Sequence, residues 1–104
     1  MDSLTVRCPK TVRGMDFLVL AIKIIDHIET YTVPQYGDKG KDECTNYTVC
    51  DCIKQAQKYL ARYGRNRREG QQALDFIKAA HYIQMAHDKY KEIRDASKTD
   101  SSNT

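Results

Sequence analysis

The sequence predicts an all-α fold: a small three-helix bundle with a long antiparallel hairpin between its second and third helices, an N-terminal arm and a disordered C-terminal tail. Three observations predict it. Apolar residues recur at spacings of three and four over three separate stretches, the repeat of a helix with one face turned inward. Pro34, Gly37 and Gly40 punctuate the first gap, and Gly64 and Gly70 bracket the second. That second gap is short, so the helices on either side of it are antiparallel neighbours.

The first helix is read over residues 15–31. Phe17, Leu20, Ala21, Ile24, Ile25 and Ile28 fall on one face, and Leu18 and Ile22 widen the stripe. β-branched residues also suit strands, but the period here is helical. Gly14, just before the run, permits a turn into the helix. Residues 32–46 read as a loop rich in Lys and acidic residues, and loops of that length are functional or mobile. The second helix is read over 48–63, with Asn46 or Thr45 as its cap. Val49, Ile53, Ala56, Leu60 and Tyr63 form its apolar stripe, and Gly64 supplies the left-handed residue that ends it. The third helix is read over 71–96, with Ala73, Phe76, Ile77, Ala80, Ile83, Ala86, Tyr90 and Ile93 as its apolar face.

Length and composition frame these elements. The chain has 104 residues, 40% hydrophobic and 30% charged, which suits one globular domain. The helical domain is set at 14–96, between an arm at 1–13, where Val6 and Val12 could pin the arm to the core or form a short strand, and a small polar tail at 97–104. A chain this short has a thin core, so a homo-oligomer, dimer or higher, is expected. The first thirteen residues carry Asp2, Arg7, Lys10 and Arg13 and read as no secretory signal. The most hydrophobic run, from Phe17 to Ile28, is interrupted by Lys23 and Asp26 and is shorter than the ~20 apolar residues a bilayer needs. A cytoplasmic protein with no membrane partner and reduced thiols is therefore expected.

Charge is unevenly placed. The whole chain carries +3, while residues 53–69 hold Lys54, Lys58, Arg62, Arg65, Arg67 and Arg68 against Glu69 alone, a local charge of +5. Such a patch attracts phosphate-bearing ligands, nucleic acid or an acidic protein face. Arginine forks match phosphate oxygens, and the interleaved Tyr59 and Tyr63 can stack bases. The alternative is a solvated helix end that keeps the chain in solution. Asp75, Lys78 and Tyr82 share one face of the third helix and could meet that basic end. Asp75 would then orient an arginine or act as a base, or balance Arg62 or Lys78 as a plain ion pair.

Other chemistry is less well represented. Cys44, Cys50 and Cys52 follow C-x5-C-x-C, with Cys8 far upstream. Structural zinc favours C-x2–4-C, and Cys50 and Cys52 point to different sides of a helix, so free thiols and no metal are expected. His81 and His87 stand six apart and diverge, and His27 is alone. The chain has no G-x-x-x-x-G-K-[ST] phosphate loop, no Gly-rich dinucleotide fingerprint and no G-x-S-x-G elbow.

Three segments together carry a resemblance. Residues 25–29 read IDHIE, residues 58–64 KYLARYG and residues 75–83 DFIKAAHYI. In this order they resemble the SaV-like family, small proteins common in phages and prophages, a related domain of which occurs in a phage nucleotide kinase without a classical phosphate loop. The family often has Asn three residues before the Lys-Tyr pair, where this chain has Gln55, and the cysteine-rich loop lengthens the first gap. The resemblance implies roles for Lys58, Tyr59, Arg62, Gly64, Asp75, Lys78 and Tyr82.

The function expected is a phage- or prophage-derived module that binds a nucleotide or nucleic acid through Lys58, Tyr59, Arg62, Arg65, Arg67, Arg68, Asp75, Lys78 and Tyr82, with no cofactor. Two alternatives stand beside it. One is a small nucleotide kinase or phosphotransferase in which Asp75 holds Mg²⁺. The other is an inhibitor that acts on a host protein.

Overall fold

A computed structural model describes the backbone of residues 8–41 and 43–102 and the side chains of residues 8–41 and 44–97. Val6 and the rest of the arm up to residue 7 lie outside it, as do Asp42 and residues 103–104. Among the described residues the fold is all-α, with no strand.

Helix α1 spans Val12–His27. It starts at Thr11, whose hydroxyl accepts the Gly14 amide at 3.0 Å, so Gly14 lies inside the first turn rather than before it. The expected end at residue 31 is also too early. The backbone stays helical through a widened turn, Ile28–Thr32, into α2, Val33–Tyr36. The Val33 amide reaches back five residues to the Ile28 carbonyl. A proline inside a helix lacks a donor and crowds the carbonyl four residues back. Here that carbonyl belongs to Thr30, in the widened turn, which makes room for the ring. Pro34 therefore begins a helix instead of breaking one, and the loop shrinks to the stretch after Gly37 (φ +95°). A short 3-10 turn, Glu43–Asn46, follows.

Helix α3 spans Val49–Ala61. Its cap is Thr48, not Asn46 or Thr45, because only Thr48 completes a reciprocal box. The Asp51 amide donates to the Thr48 hydroxyl at 3.1 Å, and the Thr48 amide to the Asp51 carboxylate at 2.9 Å. Gly64, at φ +79°, turns the chain after α3, as its position implied. Helix α4 spans Gln71–Ser102. The tail expected to be disordered from 97 is helical through Ser102, because no Gly or Pro there stops the ladder. At 1.5 Å per residue α4 is roughly 48 Å long and α3 roughly 20 Å, so α4 overruns its partner.

Packing is led by α3 against α4, and α1 rests on α4 from the other side. Among the described residues the buried ones are Cys52, Ala56, Ala79 and Asp75. Small side chains along this row let the two backbones approach closely. Of the apolar stripes read from the sequence only Ala56 falls in this row; Ile53 and Leu60 on α3, and Phe76, Ile83, Tyr90 and Ile93 on α4, remain well exposed. On α1, Phe17, Ile22 and Ile25 are more than half exposed, so the broad burial expected there is not found within one chain. No described helix is long and apolar enough to cross a membrane.

Candidate functional site

The antiparallel hairpin decides which side chains meet. On each helix the residue before a contact-row position points to one side of the hairpin, and the residue after it to the other. Gln55 and Lys78 precede Ala56 and Ala79, so they share a side, and α1 and its continuation lie over that side. Between them opens a cleft of about 500 Å³. Its walls come from four places: His27 and Tyr31 at the end of α1 and the widened turn, Tyr36 and Tyr47 around the connection, Lys58 and Tyr59 on α3, and Lys78, His81 and Tyr82 on α4.

Aromatic rings organise the cations here. Tyr59 stacks on Tyr82, with centroids 5.9 Å apart and planes at 15°. Lys58, Arg62 and Lys78 approach the Tyr59 ring at 5.1, 5.1 and 5.4 Å, and Lys78 also lies 5.9 Å from the Tyr31 ring. Ring faces attract cations and hold them in place. His27 stacks on Tyr31 at 5.1 Å, and Tyr31 meets Tyr36 edge-on at 6.2 Å. Partial burial, helped by the Lys78 charge, lowers the His27 pKa below the usual histidine value. Burial, with a lesser contribution from its hydrogen bond to Cys44, pushes the Tyr82 phenol far above the usual tyrosine value, so it stays neutral.

Four of the residues singled out from sequence line this cleft: Lys58, Tyr59, Lys78 and Tyr82. Arg62 stands at its edge, turned two ways: its guanidinium lies over Tyr59 and pairs with Asp75 at 3.6 Å. Asp75 is buried and also accepts hydrogen bonds from Asn66 and, at 3.0 Å, from Gln71. With three donors of its own chain around it, Asp75 ties the connection between the hairpin helices to α4, and it does not line the cleft. Arg65, Arg67 and Arg68 sit exposed on that connection and do not line the cleft. The basic patch is therefore divided, and one of its arginines is engaged by a carboxylate of the same chain.

Sequence reasoning missed His27, Tyr31, Tyr36, Lys41, Tyr47, Gln55 and His81 as cleft residues. A signal existed for part of this set: seven tyrosines with no tryptophan, with Tyr31 and Tyr47 bracketing residues 32–46 and Tyr36 within them. Among the described residues no disulfide joins the cysteines, and Cys50 is exposed and Cys52 buried on different sides of α3. No group of three or more His, Cys, Asp or Glu among the described residues is placed to hold a metal ion. A second cleft of about 390 Å³ adjoins the first, and its charges are mixed: Asp38, Asp88 and Glu92 line it beside Lys39 and Lys89, so it lacks the one-sided charge of the first.

The class these features define is a small all-α hairpin bundle carrying a cationic, tyrosine-lined cleft. No family model matches the chain, and neither does any curated protein or solved structure.

Proposed function

We propose that this chain is a binding module for a phosphate-bearing ligand of nucleotide size, held in the cleft between α1 and the α3–α4 hairpin. One observation carries the reading: Lys41, Lys58, Lys78, His27 and His81 line the cleft together with five tyrosines, and no carboxylate among the described residues does. Gathering like charges without a counter-charge costs free energy, which an anion relieves. The tyrosine faces offer stacking surfaces for a base, and about 500 Å³ falls within the usual range for small-molecule sites. Lys58, Tyr59, Lys78 and Tyr82, four of the residues that carry the SaV-like resemblance, all contribute to this wall; a phage or prophage origin stays part of the proposal on that resemblance alone.

Binding is favoured over phosphoryl transfer on chemical grounds. The described cleft residues offer no carboxylate to hold Mg²⁺, and Asp75 is committed to Arg62, Asn66 and Gln71.

Calorimetric titration tests the proposal with nucleoside mono- and triphosphates, inorganic triphosphate and a short oligonucleotide. A mononucleotide is expected to bind the parent protein, with affinity at least about tenfold weaker in Lys78→Ala, the loss of one charge-assisted contact. An Arg67→Ala, Arg68→Ala double variant keeps that affinity. Binding of the oligonucleotide alone, with a steep salt dependence and loss in the double variant, would move the site to the exposed connection and end the cleft reading.

A further inference from the structure

We infer that the uncovered side of the α3–α4 hairpin seats a second copy of this chain, two hairpins closing into a four-helix bundle around a two-fold axis near Ile83. This goes beyond the cleft, which opens on the opposite side of the same hairpin.

The residue after each contact-row position points away from α1. On α3 these are Ile53, following Cys52, and Leu60 seven residues later; on α4 they are Phe76, following Asp75, then Ile83 and Tyr90 at intervals of seven. All five are between 44% and 56% exposed. The row along α4 runs Ala73, Phe76, Ala80, Ile83, His87, Tyr90, alternating steps of three and four, the spacing of a helix seam. No Lys, Arg, Asp or Glu interrupts it until Arg94. An apolar row this long on an isolated chain marks an interaction face.

Two arguments select a second copy as the occupant. The first is area. The chain exposes 8798 Å², against about 6,000 Å² for a self-contained protein of its 12.0 kDa mass. Its radius of gyration is 16.3 Å, against about 13 Å for a compact chain of this length. The roughly 2,800 Å² excess is shared with other exposed parts of the chain, the apolar side of α1 among them, yet even half of it exceeds the ~800 Å² that each partner loses in a standard interface. A chain so short of internal burial needs a partner present whenever it is made, and a second copy always is. The second argument is symmetry. Phe76, Ile83 and Tyr90 read aromatic, aliphatic, aromatic about Ile83. Two antiparallel copies place Phe76 of one against Tyr90 of the other and bring the two Ile83 side chains together, the self-complementarity that a two-fold interface requires.

Light scattering and sedimentation equilibrium on the full chain test this. The parent is expected at twice its chain mass, unchanged by molar salt because the face is apolar. Ile83→Asp is expected at the single-chain mass with its helical circular dichroism kept, and Ile22→Asp, on the exposed side of α1, stays dimeric. Should Ile83→Asp not fold, Ile83→Cys in a Cys8→Ser, Cys50→Ser background supplies the same information. Mild oxidation should link two chains through position 83, and Ile22→Cys in that background should not link. A monomeric parent, dissociation by Ile22→Asp but not by Ile83→Asp, or a dimer in which Ile83→Cys fails to link would each overturn the inference.

Discussion

Asp75 shows how a residue that looks chemical can be structural. Its carboxylate, almost fully buried, takes donors from Arg62, Asn66 and Gln71, so its removal leaves the half-buried Asn66 and Gln71 without their acceptor and Arg62 without its counter-charge. Asp75→Ala is expected to lose about 2 kcal/mol of stability, read as a lower urea midpoint at unchanged slope. Tyr59→Phe should lose little, because the ring contacts remain. The Arg62–Asp75 pair was legible in the sequence as one of the alternatives for Asp75, since helical spacing across an antiparallel link brings those positions level. The Asn66 and Gln71 bonds were not, because their geometry belongs to an irregular turn that no periodicity describes. His27 gives the pH prediction. Its folded pKa lies below its unfolded value, chiefly through burial and then through Lys78. Stability is therefore full above the unfolded value of ~6.5 and falls as pH drops from there through the folded pKa. Melting temperature followed against pH should show this slope, and His27→Gln should flatten it. A phosphate ligand opposes the depression, so its affinity should rise over the same interval.

Among the elements, helix type and order were readable, while ends and buried faces were less so. The repeat of three and four marks a helix wherever it occurs, and it found α1, α3 and α4. It could not say which face is buried. The rows that meet are set by small residues, Cys52, Ala56 and Ala79, and a hydrophobic stripe outweighs those in any pattern count. Pro34 was read as punctuation because a proline ordinarily ends a helix; the widened turn before it changes the outcome. The α3 cap could have been found, since Thr48 and Asp51 stand in the spacing of a capping box, with Asp where Glu or Gln is usual. Thr48→Ala is expected to lose about 1 kcal/mol in thermal or urea unfolding, with Asn46→Ala near neutral.

At the scale of the whole molecule, the hairpin has two unlike sides. One is polar, aromatic and cationic and is roofed by α1 and its continuation; the other is apolar and uncovered. The all-α class and the antiparallel hairpin were legible because both follow from local spacing and a short link. The cleft was not, because it joins His27 and Tyr31 to Lys78 and Tyr82 across some fifty residues of chain, and only the folded arrangement brings them together. The division of the basic patch has the same origin: Lys58 and Lys78 turn inward by helical phase, whereas Arg65, Arg67 and Arg68 ride on a connection with no phase to direct them.

The most direct measurement is tyrosine-ring NMR during titration with a nucleoside monophosphate, with backbone amides followed in parallel. Ring resonances of Tyr31, Tyr59 and Tyr82 should shift together and saturate at one ligand per chain, while Tyr63 and Tyr90, outside the cleft, stay in place. Shifts confined to the amides of residues 65–70, or none with any phosphate ligand, would contradict the cleft as the site.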